Sequence, residues 1–129
     1  MPNTIRATIV VADTPNANGR TYPRHTLERA VAEQNGKGRT WVTLGMPNGN
    51  KIDLSEIVGQ AGNWSWDGNR LIAEIALMDT PRGALVKELL STDGELDYRP
   101  AGYGQVDAAG VVTNFRFIGI GALRKGGGA

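Results

Sequence analysis

The sequence predicts a single α+β domain of antiparallel β-hairpins: about six strands in a partly closed sheet or barrel, with two helices. Three observations carry this. Two turn signals, Asp67-Gly68-Asn69 and Asp107-Ala108-Ala109-Gly110, each stand between runs of extended character. Two further segments show helical spacing behind a proline, at Pro23 and at Pro81. The chain of 129 residues has room for one core, and its 18 glycines are scattered without a period, as turns and strand kinks are.

The elements follow in order. Thr4 to Ala12 is β-branched and apolar without helical spacing, so it reads as a strand. Asp13 to Arg20 is dense in turn formers, and Asn18-Gly19 favours a left-handed residue at the glycine. A helix then opens at Pro23, with Leu27, Ala30, Val31 and Gln34 on one face, and ends at Asn35-Gly36. Thr40 to Leu44 is a short strand. Glu56 to Trp66 and Arg70 to Leu77 form a hairpin, in which Leu71, Ala73, Ile75 and Leu77 share a face. Thr80-Pro81 opens the second helix with an N-cap and a proline; Leu85, Leu89 and Leu90 are its expected inner side, and Asp93-Gly94 its end. Glu95–Val106 and Val111–Leu123 make the last hairpin. The domain spans residues 1–123, and 124–129 is a glycine-rich tail. There is no internal repeat.

Composition narrows the chemistry. A net charge of +1 argues against a domain that binds nucleic acid by neutralising phosphates. With no cysteine there is no disulfide, thiolate metal site or cysteine nucleophile, and a single histidine rules out a histidine-rich metal site. No metal and no cofactor is expected. Apolar runs such as Ile9-Val10-Val11-Ala12 fall far short of the roughly 20 residues a membrane helix needs. Arg6 and Asp13 interrupt the apolar stretch near the start, so no signal peptide is expected.

Catalytic groups are scarce. His25 stands at a helix start, where a solvated role is the ordinary one. Ser55, Ser65 and Ser91 lie outside any nucleophile-elbow context and read as caps or surface hydroxyls. Gly102, Gly104, Gly119 and Gly121 lie within strands, so they mark kinks or close backbone approaches, not a phosphate cradle. Trp64 and Trp66, two apart on a strand, share a face that is either core or an interface anchor. Tyr98 and Tyr103 bracket Arg99-Pro100-Ala101-Gly102, and the proline demotes that strand to an edge or a bulge.

Several of these runs, in this order, resemble one family. Asn16-Ala17-Asn18-Gly19-Arg20-Thr21-Tyr22-Pro23, followed by Leu27-Glu28-Arg29-Ala30-Val31, is similar to the amino-terminal signature of phage prohead proteases. These are the herpesvirus-assemblin-like serine peptidases that trim scaffold and capsid protein during head maturation. Ile52 to Val58 resembles the segment before the family's central hairpin, and Trp66-Asp67-Gly68-Asn69 its turn. Asp79 to Leu85 resembles its second helix start, and Val112 to Ile120 its closing strand. The likeness spans nearly the whole chain.

The family's catalytic motifs have no match. Its histidine belongs to a G-E-L-x-H-P type motif, where this chain has Leu44-Gly45-Met46-Pro47-Asn48-Gly49-Asn50. Its nucleophile belongs to an S-S-R-x-x-G type strand, where this chain has Tyr98-Arg99-Pro100-Ala101-Gly102-Tyr103-Gly104. Without serine or histidine there, acyl transfer has neither nucleophile nor base.

The resemblance with this departure implies a catalytically dead relative: a non-enzymatic structural protein of a tailed-phage virion, expected as a capsid decoration or cement protein. Its implied partners are the major capsid protein and neighbouring copies of itself, as a homo-oligomer on the particle, with no membrane and no direct nucleic-acid contact. It would be made in the host cytoplasm and reside in the virion. The candidate protein interface is Trp64, Trp66, Tyr98, Arg99, Tyr103, Arg124 and Lys125. The alternatives are an active maturation protease with relocated groups, His25 with Ser55 or Ser65, or a scaffold-associated assembly factor. A binding module sharing only the architecture is a third reading.

Overall fold

The computed structural model describes residues 4–16, 18–37, 40–47, 51–91 and 96–124. The chain runs β1 (Thr4–Val11), α1 (Arg24–Lys37), β2 (Thr40–Leu44), a 3-10 turn (Leu54–Glu56), β3 (Ile57–Asp67), β4 (Arg70–Leu77), α2 (Pro81–Ser91), β5 (Leu96–Val106) and β6 (Val112–Arg124). The strands form one six-stranded sheet in the order β1-β4-β3-β2-β6-β5. This is the expected α+β domain, in the form of a curled, incompletely closed barrel.

The sheet is mixed, not wholly antiparallel. β2 and β6 pair in parallel, Val42 opposite Ile120 and Leu44 opposite Ala122. Local turn chemistry specifies hairpins; this seam joins strands far apart in the chain and has no local signal. It unites a β1-β4-β3-β2 unit with the β6-β5 hairpin. The turns are where the sequence places them: Gly68 and Gly110 take positive φ of 60° and 85°.

The core follows the alternation in β4. Leu71, Ala73 and Ile75 are wholly buried, and Leu27 and Ala30 of α1 and Val86 of α2 join them. Gln34, on the apolar face of α1, is also buried, and it is satisfied. Its amide nitrogen donates to the Phe117 carbonyl at 3.3 Å and its oxygen accepts from the Thr40 hydroxyl at 2.8 Å. That pair of bonds fixes α1 over β2 and β6.

Both helices depart from expectation in detail. α1 runs through Asn35-Gly36 to Lys37, because Gly36 does not adopt the left-handed φ that ends a helix. On α2 the buried side chain is Val86; Leu85 and Leu89 are exposed, while Leu90 packs against the core. The N-cap of α2 is as expected, with the Thr80 hydroxyl accepting from the Gly83 amide at 2.9 Å. The same hydroxyl donates to the Ile57 carbonyl and so ties the helix start to β3. Asp93-Gly94, the expected end of this helix, and most of the glycine tail lie outside the described residues.

Candidate functional site: a groove between the sheet edges

The two edge strands, β1 and β5, approach each other without pairing, and a groove of about 630 Å³ opens between them. One wall is Thr8 to Val11 of β1, the other Arg99 to Gly102 of β5, with Phe115 of β6 also lining it. The loop after β1 contributes Thr14, Pro15, Asn16, Asn18 and Arg20, Tyr22 follows, and the loop after β2 contributes Met46 and Pro47. The two stretches where the resemblance puts the family's histidine and serine therefore meet here.

The loop is held rigidly by its own asparagine. The Asn16 side-chain oxygen accepts from the Asn18 and Arg20 amides at 2.9 and 3.0 Å, as asparagines in turns do. The Asn16 amide donates to the Arg20 carbonyl, and Gly19, at φ 74°, completes the turn by donating to the Asn16 carbonyl. Thr21 bridges to the last hairpin: its amide donates to the Gly110 carbonyl and its carbonyl accepts from the Val112 amide. Asp13 receives the Arg24 amide at 3.1 Å and caps α1 from outside the helix. As a result Asn16, Asn18, Arg20 and Tyr22, the alternate residues of the amino-terminal signature, all line one groove.

The opposite wall depends on close backbone approach. β5 is an edge strand, as Pro100 foretells, and its register with β6 shifts between Ala101 and Gly102 and again between Tyr103 and Gln105. At Gly102 a Cβ would collide with the Arg116 carbonyl oxygen and stand 2.7 Å from the Phe115 ring. Gly121 plays the matching part on β6, where a Cβ would meet the Met46 sulfur at 2.5 Å. The bare Gly121 backbone leaves room for the Met46 sulfur, and the Gly45 amide, donating to the Ala122 carbonyl at 2.8 Å, holds the loop beside it. The strand glycines are thus close approaches, as the sequence suggests.

Charge in the groove is one-sided. Arg20 and Arg99 line it; no aspartate or glutamate does among the described residues. Neither guanidinium has a hydrogen-bond or ion-pair partner among them. The hydroxyls on its walls are those of Thr8, Thr14 and Tyr22. Tyr22 packs edge-on against Phe115 with ring centroids 5.3 Å apart. Burial pushes its hydroxyl pKa above the usual tyrosine value, against an opposing pull from the Arg20 charge.

The other candidate residues are dispersed. Trp64 stacks at a tilt on Phe117, centroids 5.2 Å apart, and Trp66 lies under the Arg24 guanidinium at 4.1 Å. Both tryptophans are partly buried against the core, so most of that face is already covered. Tyr98 also packs on the core; burial raises its pKa, and its hydroxyl is enclosed with no hydrogen-bond partner among the described residues, so its polar end is not offered to a partner. Tyr103 is half exposed, beyond the bulge in β5. Arg124 ends β6, and Lys125 lies outside the described residues.

Ser55 donates its hydroxyl to Asp53 at 2.7 Å, and Ser65 sits exposed on β3. Neither these serines nor His25 lines the groove, and no hydrogen bond joins His25 to either among the described residues. Sequence reasoning did not single out Arg20, Asn16 or Asn18 as site residues. Their every-second-residue spacing was the available signal.

No family model matches the chain, and no curated protein does. Among solved structures it is similar to the bacteriophage T4 capsid assembly protease gp21, with a TM-score of 0.75 and 20% identity. The match covers 94% of this chain and 81% of that one. The six strands and two helices of this chain are therefore similar in fold to that capsid assembly protease.

Proposed function

We propose that this protein is a non-enzymatic component of a tailed-phage head, a decoration or cement protein bound to the capsid shell. The observation that carries the reading is the make-up of the groove. The stretches that stand where the family carries its catalytic strand and histidine loop converge there, and they bring arginine, proline and methionine to it. None of those side chains can take a proton from a nucleophile or attack a carbonyl. The signature residues Asn16, Asn18, Arg20 and Tyr22 still line the groove, which favours a binding surface kept without its chemistry.

The fold likeness to a capsid assembly protease supports a role at the head. The near-neutral charge favours packing among shell subunits over contact with packaged DNA. The partners under this reading are the major capsid protein and neighbouring copies of the same chain, with Arg99 and Tyr103 at the contact. No described helix is long and apolar enough to cross a membrane.

Activity is tested directly. The purified protein, incubated with head proteins and a serine-reactive fluorophosphonate probe, is expected to give neither labelling nor cleavage. Specific labelling, or cleavage abolished by Ser55→Ala or Ser65→Ala, would identify a relocated peptidase site instead.

A further inference from the structure

We propose that the tip of the last hairpin is a strap across one end of the groove, latched to the loop after β1 and opening as a unit. This goes beyond the head role and stands on the fold alone. β1 and β5 are the free edges of the sheet. The chain leaving β1 crosses between them, and Thr21 forms a parallel bridge with Val111, just before β6. Two backbone bonds make the latch. The Thr21 amide donates to the Gly110 carbonyl at 2.9 Å, and the Val112 amide donates to the Thr21 carbonyl at 2.8 Å. Beside them Gly110 lies so close to Gly19 that a Cβ would collide with the Gly19 carbonyl oxygen. Tyr22 and Phe115, one on each side of the latch, meet edge-on and line the groove. Releasing the latch therefore parts two of its lining rings.

The tip is built to move as one piece. The Asp107 carboxylate accepts from the Ala109 and Val111 amides at 2.8 and 2.9 Å, and the Gly110 amide donates to the Asp107 carbonyl. These bonds lie within the turn, so they survive when the latch is broken. Behind the tip the ladder is interrupted. Between Tyr103 and Gln105 one residue of β5 faces two of β6, and Asn114, one of those two, takes a left-handed φ of 53°. Beyond that point the described ladder has two pairs, Gln105–Thr113 and Val106–Val112. A bulge bends its strand and breaks the pairing, which makes it the hinge. Residues 102–109 are exposed throughout, so little packing opposes the motion. Segments with few buried contacts open at lower free energy than the core.

Native-state hydrogen exchange, read by NMR on the intact protein, is the test. The Thr21 and Val112 amides should exchange together, about tenfold or more faster than the β4 amides once intrinsic rates are divided out. Gly110→Ala drives a Cβ into the latch at a φ of 85° and should speed both by a further factor of about ten. Gly68→Ala is the control: its φ of 60° is also positive, but nothing stands near its Cβ and it is not part of the latch. Its strain is released only when the whole domain unfolds, so it should leave Thr21 and Val112 unchanged. Thr21→Cys with Val111→Cys, in a chain that has no other cysteine, places a disulfide across the latch. Oxidised, it should slow the Val112 amide to the β4 rate, and reduction should reverse this; the pair carries the test should Gly110→Ala not fold. Exchange of Thr21 and Val112 at the β4 rate in the unaltered protein overturns the proposal, as does equal acceleration by Gly68→Ala and Gly110→Ala. A fluorine label on Tyr22 reads the groove itself. Its NMR signal should shift toward the solvent value in Gly110→Ala and stay in place in the oxidised pair. A Tyr22 signal that ignores Gly110→Ala overturns the claim that the strap covers the groove.

Discussion

Leu71→Ala is expected to destabilise the domain by about 2–5 kcal/mol, the range for truncating a buried leucine. Leu71 is wholly buried in β4, which is flanked by β1 on one side and β3 on the other, opposite Val10 and Trp66. With no room for the sheet to collapse from both sides, much of the vacated volume persists as a cavity. Domains of this size have a total stability of roughly 5–15 kcal/mol, so the loss is a large share of it. Urea unfolding should show a lower midpoint at an unchanged slope. Leu54→Ala is the control: Leu54 is 77% exposed, and its removal should stay within about 0.5 kcal/mol. Equal effects at the two positions would contradict the core assigned here.

Arg99→Ala is expected to leave stability unchanged and to weaken binding to capsid particles about tenfold or more. The first half follows from the structure: the Arg99 guanidinium has no partner among the described residues, so folding loses no bond with it. The second half follows from its place on the groove wall beside Pro100, on an edge strand open to a partner. Arginines that anchor an interface typically cost about 2 kcal/mol or more when truncated, and each 1.4 kcal/mol is about a factor of ten in affinity. Co-sedimentation of the variant with particles lacking the protein, beside a melting curve, separates the two effects. Unchanged binding by a well-folded variant removes Arg99 from the contact and moves attention to Tyr103, the exposed margins of Trp64 and Trp66, or Lys125.

Much of this fold is legible in the sequence because its signals are local. The Gly68-Asn69 turn, the alternation of Leu71, Ala73 and Ile75, the Thr80 cap and the edge position implied by Pro100 all act within a few residues of themselves. The β2–β6 seam does not. It pairs Val42 with Ile120, and neither strand carries a mark that names its partner. The curl that brings β1 toward β5 is equally remote from any local pattern, and the groove exists only because of it. On α2, the leucines point to the inner face, yet only Leu90 of the three packs there and the smaller Val86 is the fully buried side chain, since Gly83 brings the helix start against the Met78 and Val58 carbonyls and so fixes its rotation. The site was half visible. Arg99 stood out beside a proline, whereas Arg20 looked like one more polar residue in a turn until the loop around Asn16 set it facing the same space.

Under the proposed decoration role the protein stays on the shell as a structural part, and its copy number in the particle distinguishes that role from the others. A decoration protein occupies a repeated lattice site, while a protease or assembly factor acts in few copies and can leave. Quantitative mass spectrometry of purified mature particles should find the intact chain at a copy number comparable with the major capsid protein. A trace amount, or abundance in immature heads followed by loss on maturation, would contradict the account and point to an assembly factor instead.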